Sequence, residues 1–273
     1  MTVEELIIYG KKYLHSTHVK MLLADLLNIN PLELLNYLDK IVSEETIAEF
    51  KKRIAAVQSA KPIQYVLGNV NFYGNKFEVN ENVLIPRFET EELVETTINY
   101  INQIFPNKHL KIIDLGTGSG CIGITLKKKI PELDVTLLDI SPKALEVASM
   151  NAKNLEADVT LLENDMLNNL DGIYDVIISN PPYIKTNEEI EEIVKNNEPH
   201  LALYAGEDGL DCYRKILKEA KNHLNYPYLI AFEIGESQRE NITNLVKMNF
   251  PQATIISKKD MQGRDRMIFI YEK

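Results

Sequence analysis

Cysteine is scarce in this chain: of 273 residues, only Cys121 and Cys212 carry a thiol. They stand far apart, without the Cys-x-x-Cys spacing of a redox or zinc motif, so a disulfide framework is excluded and a reducing compartment fits. Basic charge is also short. With 40 acidic against 30 basic residues the formal net charge is -10, a field that repels polyanions and makes nucleic acid a poor general partner. The clusters Lys127–Lys129 and Lys258–Lys259 are read first as solvated faces. Long apolar runs are missing too, since no stretch reaches the roughly 18 residues of a membrane span. The opening Met1-Thr2-Val3-Glu4-Glu5-Leu6 carries acids where a secretory signal would carry Lys or Arg. A soluble, cytoplasmic chain with no membrane contact is expected. His15, His18, His109, His200 and His223 show neither triad nor metal spacing, so no metal is expected.

What is present suits two domains. Hydrophobic residues at 45% and charged residues at 26% describe an ordinary globular chain able to bury a core. From Val3 to about Ala60 apolar residues recur at helical spacing, as in Leu22, Leu23, Leu26, Leu27, with breaks near Ser16-Thr17, Asn28–Pro31 and Val42-Ser43. Ser43 with Glu45 and Thr46 reads as a helix start. Residues 62–86 mix aromatic and β-branched side chains with Gly and Asn, the composition of a β-hairpin connector. The boundary is set inside that connector, giving a helical domain over 1–74 and a second domain over 75–273. From about Glu91 strands alternate with helices. Candidate strands are 110–115, 134–139, 159–162, 174–180, 228–233, 253–257 and 266–271, and 142–154 and 210–224 read as helices. Such alternation predicts an α/β fold, a mostly parallel sheet with its ligand site at the carboxyl ends of the strands.

The first of these strands runs into Asp114-Leu115-Gly116-Thr117-Gly118-Ser119-Gly120-Cys121. Glycines let the backbone turn sharply and approach a ligand closely, while the following helix start offers free N–H groups. Gly118, Gly120 and Gly123 also satisfy the dinucleotide pattern G-x-G-x-x-G, and Asp139 ends the second strand, where a carboxylate accepts from both ribose hydroxyls. These features predict adenosine binding without choosing a cofactor. Asp114 tilts the reading toward S-adenosylmethionine, because a carboxylate suits an ammonium group, or a loop hydrogen bond, and disfavours a pyrophosphate. After the third strand, Asp165 could accept from an adenine amino group, with Met166 packed on the ring, or Asp165 could simply cap a turn.

Asn180-Pro181-Pro182-Tyr183 is the most informative segment. Two prolines fix φ and force Asn180 into an extended conformation, so the corner is rigid before any substrate arrives. The Asn180 side-chain carbonyl and the Pro181 backbone carbonyl can accept from the two hydrogens of a planar NH₂ group, while Tyr183 offers a stacking face. An amide nitrogen is a weak nucleophile. Alignment alone supplies roughly 7–11 kcal/mol in favourable cases, which suits a methyl transfer that relies on position. Two other reactions stay open. An N-methyltransferase acting on an exocyclic amino group of adenine or guanine would use the same geometry, though the net charge opposes it. A nicotinamide-dependent oxidoreductase accounts for the glycines and Asp139 but gives residues 180–183 no role.

The chain resembles the protein-(glutamine-N5) methyltransferases of peptide chain release factors, the PrmC/HemK family. The resemblance runs through Pro62-Ile63-Gln64-Tyr65, Phe72-Tyr73-Gly74, Leu84-Ile85-Pro86-Arg87, Glu89-Thr90-Glu91, the glycine loop, Asn180–Tyr183, Glu198-Pro199, Ala205–Gly209 and Glu233-Ile234-Gly235. It implies a class I S-adenosylmethionine-dependent methyltransferase (EC class 2.1.1) with a Rossmann-like seven-stranded sheet, whose last strand is antiparallel, behind a helical bundle and hairpin linker. It further implies that Gly116, Thr117, Gly118, Ser119, Gly120, Asp139, Met166 and Asn180 contact the cofactor. Asn180, Pro181, Pro182 and Tyr183 would hold the glutamine of a Gly-Gly-Gln loop in a class I release factor, with the helical domain gripping the partner. A monomer is expected, with no direct nucleic-acid substrate. The chain departs from the family pattern at Phe88, where a proline is usual, and at Met166, where an aromatic is common.

Overall fold

The computed structural model describes residues 1–106 and 109–273, which divide into two units: Met1–Asn69 with Glu191–Asn197, and Val70–Ile190 with Glu198–Lys273. The first is helical, with α1 (Val3–Gly10), α2 (Ser16–Leu27), a 3-10 segment Pro31–Tyr37, α3 (Glu44–Gln58), α4 (Ile63–Leu67) and the downstream α8 (Glu192–Asn197). Its starts follow capping chemistry. Thr2 and Glu5 form a reciprocal capping box on α1, and Ser43 Oγ accepts from Thr46 N at 3.1 Å at the head of α3. Leu6, Leu22, Leu23 and Phe50 are fully buried in its core. Asn197 Nδ2 donates to Ala60 O at 2.9 Å, which ties α8 into this unit.

The connector differs from its expected form. Residues 63–67 are helical, and the hairpin is confined to β1 (Asn69–Phe72) and β2 (Asn75–Glu78). Pro62 stands at the N-cap and Gly68 closes the turn at φ +76, so the bracketing residues outweigh the strand preference of Tyr65 and Val66. After α5 (Phe88–Ile104) come β3 (Lys111–Leu115), α6 (Cys121–Lys129), β4 (Asp134–Asp139), α7 (Pro142–Asn154), β5 (Thr160–Glu163) and β6 (Tyr174–Ser179). The chain closes with α9 (Asp211–Ala220), β7 (Leu224–Glu233), α10 (Arg239–Asn249), β8 (Thr254–Lys259) and β9 (Asp265–Glu272).

These seven strands form one sheet in the order β5-β4-β3-β6-β7-β9-β8, parallel except for β9, which runs antiparallel to both neighbours. Successive residues alternate between two cores, as the strand pleat requires. Ile112, Leu137 and Val176 face α5, α6, α7 and the hairpin's Phe72 and Phe77. Ile113, Leu138, Ile177 and Phe232 face α9 and α10. Strand order reverses at β3, between β4 and β6, which puts a crevice at the carboxyl ends of the strands there.

Gly123 sets how closely α6 lies on the sheet. A Cβ there would stand 2.2 Å from Leu137 Cδ2 and 3.2 Å from Val135 Cγ1. Gly123→Ala is therefore expected to destabilise by about 1–3 kcal/mol through overpacking, read as a lower midpoint in thermal unfolding.

Candidate active site

β3, β4, β5 and β6 end on one rim of the second unit, where a cavity of about 470 Å³ opens. That volume falls in the range of small-molecule sites. Its walls include residues 116–119, Asp139, Asn164–Met166, Asn180 and Pro182, together with Leu84, Pro86, Thr90, Leu201, Tyr204 and Lys215.

The glycine loop is held from below. Asp114 is fully buried near the end of β3; its Oδ2 accepts from Thr117 Oγ1 at 2.6 Å and from Gly123 N at 3.1 Å, while Oδ1 has no partner among the described residues. Burial pushes its carboxyl up to about 7, against the pull of those two donors. Asp114 thus braces the loop and does not line the cavity. Gly120 also lies behind the wall, as the N-cap of α6, where a Cβ would meet Ile124 and Leu137. Gly116 and Gly118 border the cavity at φ +69 and +55, and a Cβ on either would meet no atom within 4 Å. Side chains there would stand in the space a ligand needs.

Asp139 ends β4 and closes the loop from the side. Oδ2 accepts from Gly118 N and Oδ1 from Ser141 N, both at 2.9 Å. Burial raises its carboxyl, opposed by the N–H groups of Ser141, Gly118 and Ile140. A carboxylate has about four lone-pair positions, so each oxygen keeps one for a ligand hydroxyl.

Beyond β5, Met166 is a non-glycine residue at φ +50, and Asn164 Nδ2 holds this turn by donating to Met166 O at 3.1 Å and Asn168 O at 2.9 Å. Met166 lines the cavity. The Asp165 carboxylate faces Lys215 Nζ at 3.2 Å, and its backbone carbonyl accepts from Asn168 N.

Past β6, Ser179 Oγ donates to Leu115 O at 2.6 Å, fixing the strand end beside the glycine loop. Asn180 Nδ2 donates to Thr90 Oγ1 at 3.3 Å, and Thr90 Oγ1 donates to Glu233 Oε2 at 2.6 Å. Pro181 is buried, and neither it nor Tyr183 is part of the cavity wall, whereas Asn180 and Pro182 are. The Tyr183 carbonyl accepts from Gln238 Nε2 at 2.9 Å, and its ring edge lies near Gly235. Burial pushes the Tyr183 phenol up to about 12.

Sequence reasoning gave no role to several residues that build this site. Asn151, fully buried on α7, donates to Ser119 O at 2.9 Å and exchanges hydrogen bonds with the Glu78 backbone, so one amide joins the hairpin to the glycine loop. Glu198 accepts from Ile85 N at 3.1 Å and pairs with Arg87, which fixes the Leu84–Pro86 wall. Only a buried polar residue at an otherwise apolar position could have hinted at these. Lys127 and Lys128 are spent on the backbone carbonyls of Pro131, Leu133 and Leu155, and Lys129 lies over the Tyr73 ring. Among the described residues no helix is long and apolar enough to cross a membrane, and no group of three or more His, Cys, Asp or Glu is arranged to hold a metal.

Comparison with known proteins agrees with this architecture. Residues 13–68 match the family model of the PrmC N-terminal domain, and residues 88–207 that of the methyltransferase small domain. A release factor glutamine methyltransferase from Bacillus cereus is 40% identical over 255 residues, covering 92% of this chain and 90% of that protein. The chain belongs to the release factor glutamine methyltransferase family. A second relative so named, from Flavobacterium psychrophilum, is 44% identical over 228 residues, covering 81% of this chain and 79% of its own. Among solved structures, a methyltransferase from Pyrococcus furiosus shares the fold, with a TM-score of 0.53 at 19% identity over 81% of this chain and 98% of its own. A class I methyltransferase fold, with a mostly parallel seven-stranded sheet and an antiparallel β9, is thus what the release factor methyltransferase sequence builds here.

Proposed function

We propose that this chain uses S-adenosylmethionine to methylate the side-chain amide nitrogen of the glutamine in the Gly-Gly-Gln motif of a class I peptide chain release factor. Family membership supports the reaction. The observation that carries its chemistry is the Asn180 amide on the cavity wall, whose nitrogen donates to Thr90; its carbonyl oxygen is accordingly assigned to the cavity side. That oxygen and the Pro181 carbonyl are the acceptors assigned to the two hydrogens of the glutamine NH₂. Holding both N–H bonds fixes the direction of the nitrogen lone pair before reaction, a contribution of position and not of base strength.

The cofactor fits the residues present. Gly116 and Gly118 leave open the space that Cβ atoms would fill, and Asp139 keeps lone pairs for ribose hydroxyls. Gly116, Thr117, Gly118, Ser119, Asp139, Asp165, Met166 and Asn180 are assigned to cofactor contact, and the bound cofactor supplies an electrophilic methyl group on a sulfonium. Asp114 and Gly120 support that contact from behind the loop. Met166 packs a polarisable thioether where an aromatic ring is usual. Pro182 is assigned to the glutamine's apolar stem. Tyr183 is assigned to stiffening the corner and, on partner binding, to stacking. The recognition role expected of residues 1–74 is given to the helical unit, which ends at Asn69 ahead of the hairpin, and it suits the exposed apolar Leu32 and Ile41. The proposal takes the enzyme to be a cytoplasmic monomer.

Mass spectrometry of a release factor co-expressed with this chain tests the proposal. One added methylene on the Gly-Gly-Gln peptide is expected. An unmodified peptide, with labelled cofactor delivering its label to nucleic acid instead, would overturn it.

A further inference from the structure

Glu233 ends β7 fully buried, and no arginine or lysine among the described residues forms an ion pair with it. A carboxylate in that position is costly unless a hydrogen bond compensates it, and Thr90 of α5 supplies one at 2.6 Å, within the range of charge-assisted O–H···O bonds. A threonine hydroxyl has one proton and two lone pairs. With its proton committed to Glu233, Thr90 can only accept from Asn180, so the amide must turn its NH₂ edge to Thr90 and its oxygen elsewhere. Thr90 and Asn180 both border the cavity, while Glu233 lies behind them.

We infer that Glu233, acting through Thr90, is a positioning residue for the methyl-transfer reaction: it sets which edge of the Asn180 amide faces the substrate. The inference rests on the function proposed above. A carboxylate in the acceptor role points the Asn180 oxygen at the glutamine NH₂, where an acceptor is required. A protonated Glu233 can donate to Thr90 instead, which frees the Thr90 proton for Asn180 Oδ1 and turns the Asn180 NH₂ toward the substrate. Donor then meets donor, and the glutamine nitrogen loses its anchor.

The environment makes this device responsive to pH. Burial pushes the Glu233 carboxyl up to about 7, while the Thr90 hydrogen bond, Arg266 of β9 and Arg87 pull it down and Glu89 pushes it up. Also facing it are Tyr183, Tyr213 of α9 and Cys121 of α6, whose own ionisations are all pushed above their ordinary values, chiefly by burial. Glu233 is thus protonated below about 7 and ionised above it, so the productive amide orientation is gained as pH rises. Asp114 titrates in the same range, which is why the Glu233 variant and not the raw profile is diagnostic.

The test uses the full chain. Isotope-labelled asparagine side chains are followed by NMR without substrate, the Asn180 signal being assigned by its loss in Asn180→Ala. That signal is expected to move between about pH 6 and pH 8, one unit either side of the Glu233 midpoint, and to stay still in Glu233→Gln. In kinetics, Thr90→Val and Glu233→Gln are each expected to lose roughly tenfold or more in kcat, the worth of one hydrogen bond. KM for the release factor and the Kd for S-adenosylhomocysteine change far less, Thr90→Ser recovers most of the loss, and the Glu233→Gln profile loses its rise with pH. An Asn180 signal that ignores Glu233, or full kcat in Thr90→Val beside an inactive Asn180→Ala, overturns the relay and leaves the methylation reading standing. A wild-type chain that never methylates a release factor sinks that reading instead, while the NMR titration still judges the relay.

Discussion

Asn180→Ala is expected to lower kcat on release factor by on the order of 10²–10³-fold, the cost seen when one preorganised polar group is removed from a reacting centre. The effect is local. Asn180 sits on the cavity wall with its nitrogen tied to Thr90, so alanine removes an oriented oxygen and nothing that supports the sheet. Ser179 still anchors the strand end on Leu115 O, and the prolines still fix the corner. Thermal stability should stay close to wild type, affinity for S-adenosylhomocysteine should fall far less than kcat because the glycine loop and Asp139 remain in place, and single-turnover kinetics at saturating cofactor would isolate the chemical step. Retention of a near-normal rate would remove Asn180 from the role given to it.

Asp139→Asn should act on the other half of the reaction, by weakening cofactor binding roughly 10- to 100-fold, since hydrogen bonds to a charged group contribute about 1.5–3 kcal/mol. Both Asp139 oxygens already accept backbone N–H groups, from Gly118 and Ser141. An asparagine keeps one acceptor, and its NH₂ then confronts whichever N–H it faces. The glycine loop loses its lateral anchor, and the ribose hydroxyls assigned to Asp139 would lose an acceptor. Titration calorimetry with S-adenosylhomocysteine reads the effect directly, and an unchanged Kd would show that Asp139 does not serve the ligand. Together the two variants separate binding from chemistry, because Asp139→Asn should move chiefly Kd and Asn180→Ala chiefly kcat.

The sheet was legible because its strands are buried on both faces and read as apolar runs such as Val176-Ile177-Ile178, punctuated by glycine, proline and aspartate. Local chemistry at strand ends was legible for the same reason: Gly116, Gly118 and Asp139 sit where a parallel sheet puts its ligand site, and all three border the cavity. By sequence Asp114 suits either the loop or a cation, and the loop is where its hydrogen bonds go. Residues 63–67 mislead by composition, because aromatic and β-branched side chains suggest a strand where the bracketing Pro62 and Gly68 impose a helix. The rest had no local signal. Thr90 and Glu233 lie 143 positions apart, and Asn151 reaches Glu78 across 73, so their pairing exists only once the sheet has assembled. Likewise nothing in Glu191–Asn197 announces that it packs with the helical unit far upstream.

The amide of Asn151 redraws the edge of the smallest catalytic body. A match to a methyltransferase model begins at residue 88, yet the backbone that completes Asn151 belongs to Glu78. Cutting the chain at residue 88 would strand a buried amide with an unanswered donor and acceptor directly beneath Ser119, and the ligand loop would inherit the slack. The β1–β2 ribbon is therefore a strut of the catalytic unit, not a detachable tether, and any excision meant to isolate that unit has to begin upstream of it.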